Sequence, residues 1–255
     1  MKTVLITGAT SGFGEACANI FASNGYRLIL NGRRTERLQT LKEQLEKESA
    51  VPCYLLPFDV RDREAVFAAI NSLPPEWQTI DVLVNNAGLA LGRDLFDLAN
   101  VDDWDTMIDT NLKGLLYVSK AVVPFMSKRR QGHIINVGST AAKDMYEGGN
   151  VYCASKAAVD AVSKAMRIDL LKHHIKVTAV HPGAAETEFS LVRFKGNTGA
   201  AEKVYEGYEP LTAEDVASVI YYCASLPPHV CINDLVLTCT QQADGIHFHK
   251  DGKPV

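Results

Sequence analysis

The sequence predicts a single α/β domain, a doubly wound parallel sheet of about seven strands with helices on both faces. Three observations carry that prediction. Seven apolar, β-rich runs alternate with stretches of helical period along the whole chain. The segments between the runs are long enough for right-handed β-α-β crossovers, which cover both faces of a parallel sheet. With 255 residues and 47% hydrophobic content the chain can bury one large core, and no linker or internal repeat divides it.

The first run, Thr3–Gly8, reads as a strand that turns through Thr7-Gly-Ala-Thr-Ser-Gly-Phe-Gly14 into a helix beginning at Gly14. Gly8, Gly12 and Gly14 fall in a turn that aims a helix N-terminus at a ligand. Its unpaired amides and dipole attract a pyrophosphate, and glycine permits close backbone approach. By itself such a turn also serves as a plain strand-to-helix connection.

The second run, Arg27–Gly32, ends in Arg33-Arg34 and leads into a long polar helix over Thr35–Glu48. No Asp or Glu stands at that strand tip, where a carboxylate would hold the ribose 2′-hydroxyl of NAD. Two guanidinium groups there complement the extra phosphate of NADP, so NADP is the expected cofactor. As simple solvated residues of the helix start, they would oppose its dipole. Asp59-Val60 closes the third run, Pro52–Phe58, and places a carboxylate where an adenine amino group could donate. Asn85-Asn86-Ala87-Gly88 closes the fourth, Ile80–Asn85. Each of these two is ordinary turn chemistry when taken alone.

A long helix is expected over Val101–Arg130, with Asn111 at a helix end beneath the same crevice, and a fifth strand over His133–Gly138 delivers Ser139. Thirteen residues after Ser139 comes Tyr152-Cys-Ala-Ser-Lys156, on a helix expected over residues 150–173. Four-residue spacing puts Tyr152 and Lys156 on one face, where the ammonium can lower the phenol's pKa. Acting as a base near neutrality would need a lowering from ~10 by on the order of three units, or ~4 kcal/mol. A lone Tyr-x-x-x-Lys arises by chance, and the weight comes from the ordered set. The sixth strand, Ile175–His181, runs into Pro182-Gly183 and then an excursion over about 184–211, rich in Gly, Glu and Lys. Ligands in such sheets lie beyond the strand C-termini, so the excursion is expected to roof a substrate site. A helix from Thr212-Ala-Glu-Asp and a strand over Leu235–Thr240 complete the pattern.

Composition narrows the function classes. A net charge of −4 gives no electrostatic reason to expect nucleic acid or an anionic membrane surface, which leaves a small-molecule substrate. Cys17, Cys53, Cys153, Cys223, Cys231 and Cys239 form no Cys-x-x-Cys pair and sit as small hydrophobes, so reduced thiols are expected. Met1-Lys2-Thr3 leads directly into a strand, and no apolar run approaches the length of a bilayer span, so a cytoplasmic location is expected. His247 and His249 near Asp244 lack a third ligand at fixed spacing, and no metal is expected. His173-His174 is expected to end the Tyr152 helix, where positive charge suits the dipole.

Taken together, Thr7–Gly14, Asp59, Asn85–Gly88, Asn111, Ser139, Tyr152, Lys156 and Pro182-Gly183 resemble the short-chain dehydrogenase/reductase family over essentially the whole chain. More narrowly, Asn85-Asn-Ala-Gly-Leu-Ala-Leu-Gly92, Trp104-Asp-Thr-Met-Ile-Asp-Thr-Asn111, Gly148-Gly-Asn-Val-Tyr152 and Thr187–Gly196 are similar to the NADP-dependent 3-hydroxy acid dehydrogenases. Those enzymes oxidise serine, allo-threonine and related acids, or reduce malonic semialdehyde. The resemblance implies a seven-stranded Rossmann sheet and a homotetramer. It implies Tyr152 as proton donor or acceptor, Lys156 on the nicotinamide ribose, Ser139 on the substrate oxygen and Asn111 in a water-linked proton relay. It also implies NADP contacts from Thr7, Gly8, Thr10, Ser11, Gly12, Phe13 and Gly14, from Arg33, Arg34, Asp59 and Val60, and from Asn86, Ala87 and Gly88. Tyr152, Lys156, Pro182, Gly183 and Thr187 complete that set.

The chain departs from the similar enzymes at Ala184-Ala185, where bulkier apolar residues are usual, and at Lys143-Asp144-Met145, where those charges are often missing. A 3-hydroxy acid needs a cation for its carboxylate. Arg193 is the expected partner, with Lys195, Lys143 and Arg93 as rivals, although a loop arginine is often simply solvated. A broader carbonyl reductase is the nearest alternative reading. An NADP-sensing module without turnover would have no need for Ser139, Tyr152, Lys156 and Asn111 to be intact together.

Overall fold

The structure is a computed structural model that describes residues 1–251. Seven parallel strands form one sheet in the order β3-β2-β1-β4-β5-β6-β7. They are β1 (Thr3–Ile6), β2 (Arg27–Gly32), β3 (Cys53–Pro57), β4 (Val82–Asn85), β5 (Gly132–Val137), β6 (Ile175–Pro182) and β7 (Asp234–Leu237). Every residue of β1, β4 and β5 is buried, because helices cover both faces. That is why these strands read as mainly apolar runs, with Thr3, Asn85, His133 and Asn136 as the polar exceptions, whereas edge strand β7 alternates between exposed and half-buried positions.

The helices are α1 (Gly12–Ser23), α2 (Thr35–Ser49), α3 (Arg63–Asn71), α4 (Val101–Ile108), α5 (Leu115–Arg129), α6 (Asn150–Asp169), α7 (Glu188–Arg193), α8 (Thr198–Glu202) and α9 (Ala213–Ser225). One face packs α1, α2 and α9 against Val4, Ile6, Leu28 and Leu30. On the other face, α3 and α5 bury Val66, Ile70, Val118 and Met126 against Leu5, Ile29, Leu83 and Ile134. Side chains such as Phe21, fully buried, each contribute roughly 1.5–3 kcal/mol from leaving water. The Phe21 ring also meets Tyr26 and Tyr221 edge-on at 5.0 and 5.4 Å, which fixes α1 against α9.

Helix starts follow local chemistry. Asp62 accepts from Ala65 N to cap α3, Asn100 accepts from Asp102 N to cap α4, and Thr212 and Asp215 form a reciprocal capping box for α9. Strand order reverses between β1 and β4, so their C-terminal ends open the crevice in which such sheets bind ligands.

Three local features differ from expectation. The helix expected over Val101–Arg130 contains a π-helical segment, Asp109–Gly114, between α4 and α5. Asn111 therefore lies mid-helix rather than at an end; the widened turn re-aims its side chain, as π-bulges do. The Tyr152 helix ends at Asp169 and passes through a 3₁₀ turn, Leu171–His173, to a left-handed His174 with φ 54°. And α1 begins at Gly12, two residues before the position expected from the sequence.

Candidate active site

At the C-terminal ends of β1, β2 and β4 the glycine turn forms one wall of a cleft. Gly8, Thr10, Ser11, Gly12 and Phe13 line it. Ser11 sits at the N-cap of α1 without making a side-chain cap bond, which leaves the first helical amides available to an anion. Gly8 has φ +66° and Gly12 φ +51°, conformations that side chains rarely adopt. Gly14 lines no cavity; its role is close packing, since a Cβ there would lie 2.1 Å from Gly8 O. Thr7 is likewise behind the wall, its hydroxyl accepting from Asn86 N at 3.0 Å and Ala87 N at 2.9 Å to lock the β1 and β4 tips together. Asn86, Ala87 and Gly88 line the opposite wall, and Val60 and Thr187 close the ends.

Arg33 and Arg34 both face this cleft but are held differently. Arg34 Nε donates to Thr10 Oγ1 at 3.1 Å, and Nη2 donates to Thr10 O at 3.0 Å and Ser11 Oγ at 2.8 Å. Its Nη1 pairs with Glu188 Oε2 at 3.0 Å. Arg33 is more exposed and pairs loosely with Asp59 Oδ2 at 3.6 Å. Asp59 lines the cleft as expected, yet its oxygens accept from Arg61 N, Nε and Nη2 rather than standing free. Burial pushes the Asp59 carboxyl upward, but the Arg61 hydrogen bonds and charge override it and hold the group below its usual range. This donor set fits a phosphorylated dinucleotide: free helix amides for a pyrophosphate, and a pinned guanidinium where a third phosphate would lie.

Deeper in the crevice α6 presents Tyr152 and Lys156, both buried and both lining the cleft. Lys156 Nζ donates to Val137 O at 2.9 Å, and burial lowers its pKa to about 8. The expected lowering of the Tyr152 phenol by this ammonium is not present. Burial pushes the phenol above its ordinary range, the Tyr146 hydroxyl adds to the rise, and the Ser139 hydroxyl and Arg193 guanidinium oppose it. Burial is the dominant cause, and it outweighs whatever the ammonium contributes.

Ser139 follows β5 in an extended conformation and its Oγ accepts from Ala141 N at 3.1 Å. Asn111 lines neither cavity; Oδ1 accepts from Leu89 N at 2.8 Å, and Nδ2 donates to Leu89 O at 2.8 Å and Ser155 Oγ at 3.0 Å. Both its amide hydrogens are used, and Oδ1 keeps one lone pair. A Cβ placed on Gly88 would be 3.3 Å from that oxygen and 3.4 Å from Lys156 Nζ, so the two groups flank the same spot.

A second cavity of about 580 Å³ adjoins the first, sharing Tyr152 and Thr187. Ser139, Pro182, Gly183 and Arg193 face it, and the excursion after β6 roofs it through α7 and through Val204, Tyr205 and Tyr208, which follow α8. Thr187 caps α7 by accepting from Phe189 N, and the Phe189 ring lies 5.7 Å from that of Tyr152. Arg193 Nε donates to Gly92 O at 3.2 Å, and its guanidinium sits 5.6 Å from the Tyr152 ring and 5.4 Å from the Tyr146 ring. Its Nη2 is buried without a partner, an arrangement that costs stability unless a ligand accepts from it.

The rival cations separate on this geometry. Lys143 does not face the cavity and is taken up by Asp160 at 3.0 Å and Asp234 at 2.7 Å. Lys195 pairs with Asp103 at 2.7 Å, and Arg93 lies on the rim over Tyr146. Sequence reasoning missed Tyr146, Glu188, Phe189 and Gln242, which also line the two cavities. Glu188 was findable, since it follows Thr187. Gln242 was not: it arrives from the C-terminal segment, accepts from Ala184 N at 2.8 Å and occupies the space a side chain at residue 183 would need. Among the described residues His247 pairs with Asp244 and His249 with Asp251, at the surface.

Comparison with known proteins agrees with this geometry. The model of the short chain dehydrogenase family matches residues 2–197. The NADP-dependent 3-hydroxy acid dehydrogenase of Escherichia coli (strain K12) is 49% identical over 249 residues, 97% of this chain and 99% of that protein. Sulfoacetaldehyde reductase of Chromohalobacter salexigens is 47% identical, covering 94% of each chain. The closed form of a serine dehydrogenase complexed with NADP+ superposes with a TM-score of 0.90 at 48% identity, over 97% of this chain and 99% of the other.

Proposed function

The chain belongs to the short-chain dehydrogenase family, and on that footing we propose that it is an NADP-dependent oxidoreductase acting on small 3-hydroxy acids and the matching 3-oxo acids. The carrying observation is the buried, unpartnered Arg193 Nη2 in a cavity that Tyr152 and Ser139 also line. A carboxylate accepting a hydrogen bond from that nitrogen would sit in the same cavity as Tyr152 and Ser139, beside the nucleotide cleft.

When bound, NADP supplies or accepts the hydride. The residues do the rest. Ser139 Oγ–H donates to the substrate oxygen and stabilises the charge that grows on it in the transition state. Tyr152 gives a proton to that oxygen in reduction and removes one in oxidation. A phenol held above its ordinary range is fully protonated at neutral pH, so the free protein is set for the donor role. Lys156, still largely protonated at neutral pH, brings positive charge into the same crevice and opposes the cost of the phenolate. Asn111 Oδ1, with one free lone pair beside Lys156, is placed to hold a water that returns the proton.

The proposed cofactor contacts are Gly8, Thr10, Ser11, Gly12, Phe13, Arg33, Arg34, Asp59, Val60, Asn86, Ala87, Gly88, Tyr152, Lys156 and Thr187, which line the cleft, with Thr7 and Gly14 shaping the turn behind them and Pro182 and Gly183 bordering the adjoining cavity. The whole chain acts as one unit, residues 184–211 forming its substrate roof. A homotetramer in the cytoplasm is part of this reading; exposed Leu95, Phe96 and Leu98 just before α4 and Val101 at its start support self-association. Sedimentation equilibrium tests it. No helix among the described residues is long and apolar enough to cross a membrane.

The deciding experiment is a screen of the purified protein with NADP against serine, allo-threonine, 3-hydroxyisobutyrate and 3-hydroxypropionate, beside sulfoacetaldehyde, simple aldehydes and ketones. The reading expects acids to be preferred and Arg193→Met to raise KM for them at least tenfold. Equal activity on neutral carbonyls, unchanged by that substitution, would favour a general carbonyl reductase.

A further inference from the structure

Directly behind Ser139 lies a polar cluster, buried at His181 and Asp160 and exposed at Asp234, that the proposed chemistry does not use. His181, the penultimate residue of β6 and fully buried, brings its ring against the main chain of Ser139. Nδ1 is 3.4 Å from Ser139 N, with that amide hydrogen directed at it, and 3.2 Å from Ser139 O. So close an approach is possible because residue 138 is glycine, where a Cβ would lie 2.3 Å from His181 Nδ1. The other ring nitrogen, Nε2, faces Asp234 Oδ1 at 3.3 Å and Asp160 Oδ1 at 3.6 Å.

Those contacts are too long to be close hydrogen bonds, and Nε2 and Asp160 Oδ1 have no nearer partner. Their effect is electrostatic. The second oxygens of the two carboxylates accept from Lys143, and that of Asp160 also from Lys164 at 2.8 Å, so both aspartates are anchored by cations on the side away from the ring. Two carboxylate oxygens, which are acceptors, facing a ring nitrogen favour a hydrogen on it. With the hydrogen on Nε2, Nδ1 is bare and can only accept, and the available donor is Ser139 N–H. Burial first, and then Lys143, lowers the His181 pKa against the opposing Asp234 and Asp160 carboxylates, which favours the neutral ring.

The geometry points to His181 as a positioning residue for Ser139: the Asp160–Asp234 pair fixes its Nε2–H tautomer, and its bare Nδ1 holds the Ser139 amide so that the Ser139 hydroxyl faces the substrate oxygen. Asp160 lies one helical turn beyond Lys156 and two beyond Tyr152 on α6. The cluster therefore sets the register between the helix that carries the proton-transfer groups and the strand end that carries the hydrogen-bond donor. Small displacements of such a donor weigh heavily on the chemical step and little on nucleotide binding. Lys143, which bonds both carboxylates, acts here as the counter-ion of the pair.

This inference rests on Ser139 contacting the substrate, and the test separates the two. Four variants are compared with the wild type for kcat and KM with serine and NADP, and for NADPH binding by fluorescence: S139A, H181L, H181N and D234N. Asn Oδ1 reproduces the acceptor position of Nδ1, so H181N keeps the amide contact without the ring. H181L should lower kcat by about 10- to 100-fold with NADPH affinity within about twofold, and H181N should recover to within about fivefold of the wild type. Equal losses in H181L and H181N, or an unchanged kcat in H181L while S139A is inactive, would overturn the positioning role. Activity retained in S139A would instead overturn the substrate contact itself.

Should H181L fail to fold, long-range ¹⁵N-histidine spectra of the wild type and D234N read the tautomer without any variant at His181. A neutral Nε2–H ring in the wild type, with the Nδ1–H form gaining in D234N, supports the inference. An Nδ1–H or doubly protonated ring in the wild type near neutral pH would sink it.

Discussion

Replacing Arg34 by alanine should change which nucleotide the protein prefers. In the free protein the Arg34 guanidinium is fixed by three bonds to Thr10 and Ser11 and balanced by Glu188 at 3.0 Å, and Glu188 is held in turn by Arg37 at 2.7 Å. A 2′-phosphate entering beside Arg34 gains a pre-oriented donor but meets the Glu188 carboxylate. Hydrogen bonds to charged groups contribute about 1.5–3 kcal/mol. Arg34 is 41% exposed, so the lower end applies, and about 1.5 kcal/mol corresponds to roughly a tenfold loss of NADPH affinity. Arg33, 61% exposed and only loosely paired, should cost about threefold. NADH lacks the phosphate and should lose less than about twofold in either variant. Removing the opposing charge in Glu188→Gln should tighten NADPH several-fold and leave NADH unchanged. Fluorescence titration of each nucleotide at low and at elevated salt measures all of this, and the NADPH differences should shrink with salt. Parallel losses for NADPH and NADH in Arg34→Ala would show that the guanidinium merely supports the glycine turn through Thr10 and Ser11.

Tyr152→Phe should abolish turnover while NADPH still binds with near-wild-type affinity; a variant keeping most activity would refute the proton-transfer role. Gly14→Ala puts a Cβ 2.1 Å from Gly8 O and 2.6 Å from Asn86 Nδ2. Backbone has to move, so urea unfolding should show about 1–3 kcal/mol of lost stability, with NADPH binding weakened as the turn deforms. Lys156, lowered from 10.5 to about 8, gives a pH test of stability. Its folded value lies below its unfolded one, so between about pH 8 and 10.5 the unfolded chain binds more protons, and raising the pH across that window stabilises the wild type relative to Lys156→Met. The gain is at most about 3 kcal/mol, and an unchanged stability difference at the two ends of the window would contradict the burial argument.

The sheet was legible because its chemistry is local. Runs such as Val4-Leu5-Ile6 and Val82-Leu83-Val84 are apolar on consecutive residues because both faces of the sheet are covered, and the observed strands fall within three residues of the expected ends. The glycine turn and the paired arginines were legible for a similar reason, since backbone conformation and charge at a strand tip belong to the residues themselves. The π-segment at Asn111 was hidden. The sequence reads as one helix over Val101–Arg130, whereas in the structure the π-segment coincides with a tertiary pairing of the Asn111 amide with Leu89, 22 residues earlier, which local sequence does not reveal. Gln242 and His181 were hidden likewise, since each matters through a partner about 40 or more residues away, Ala184 for the one and Ser139 for the other.

Protonation was the least legible part of the site, and the reason bears on its chemistry. Four-residue spacing correctly puts Tyr152 and Lys156 on one face of α6, but spacing says nothing about where an ammonium sends its hydrogens. Lys156 spends one on Val137 O, and the phenol is dominated by burial. The same burial lowers the lysine, so the two groups are driven toward their neutral forms by one cause acting on opposite charges. A site in this state loses little by holding a neutral tyrosine and would have to add positive charge before it could hold a phenolate. Reduction can therefore begin from the protonation state the free protein already has, whereas oxidation must first draw Lys156 into service. The asymmetry predicts that the oxidative rate rises with pH more steeply than the reductive rate across the neutral range, and matched pH profiles of the two directions on one substrate pair would expose it. Profiles that rise together would mean that Tyr152 is already acidified and that the burial argument fails at the one residue where it matters most.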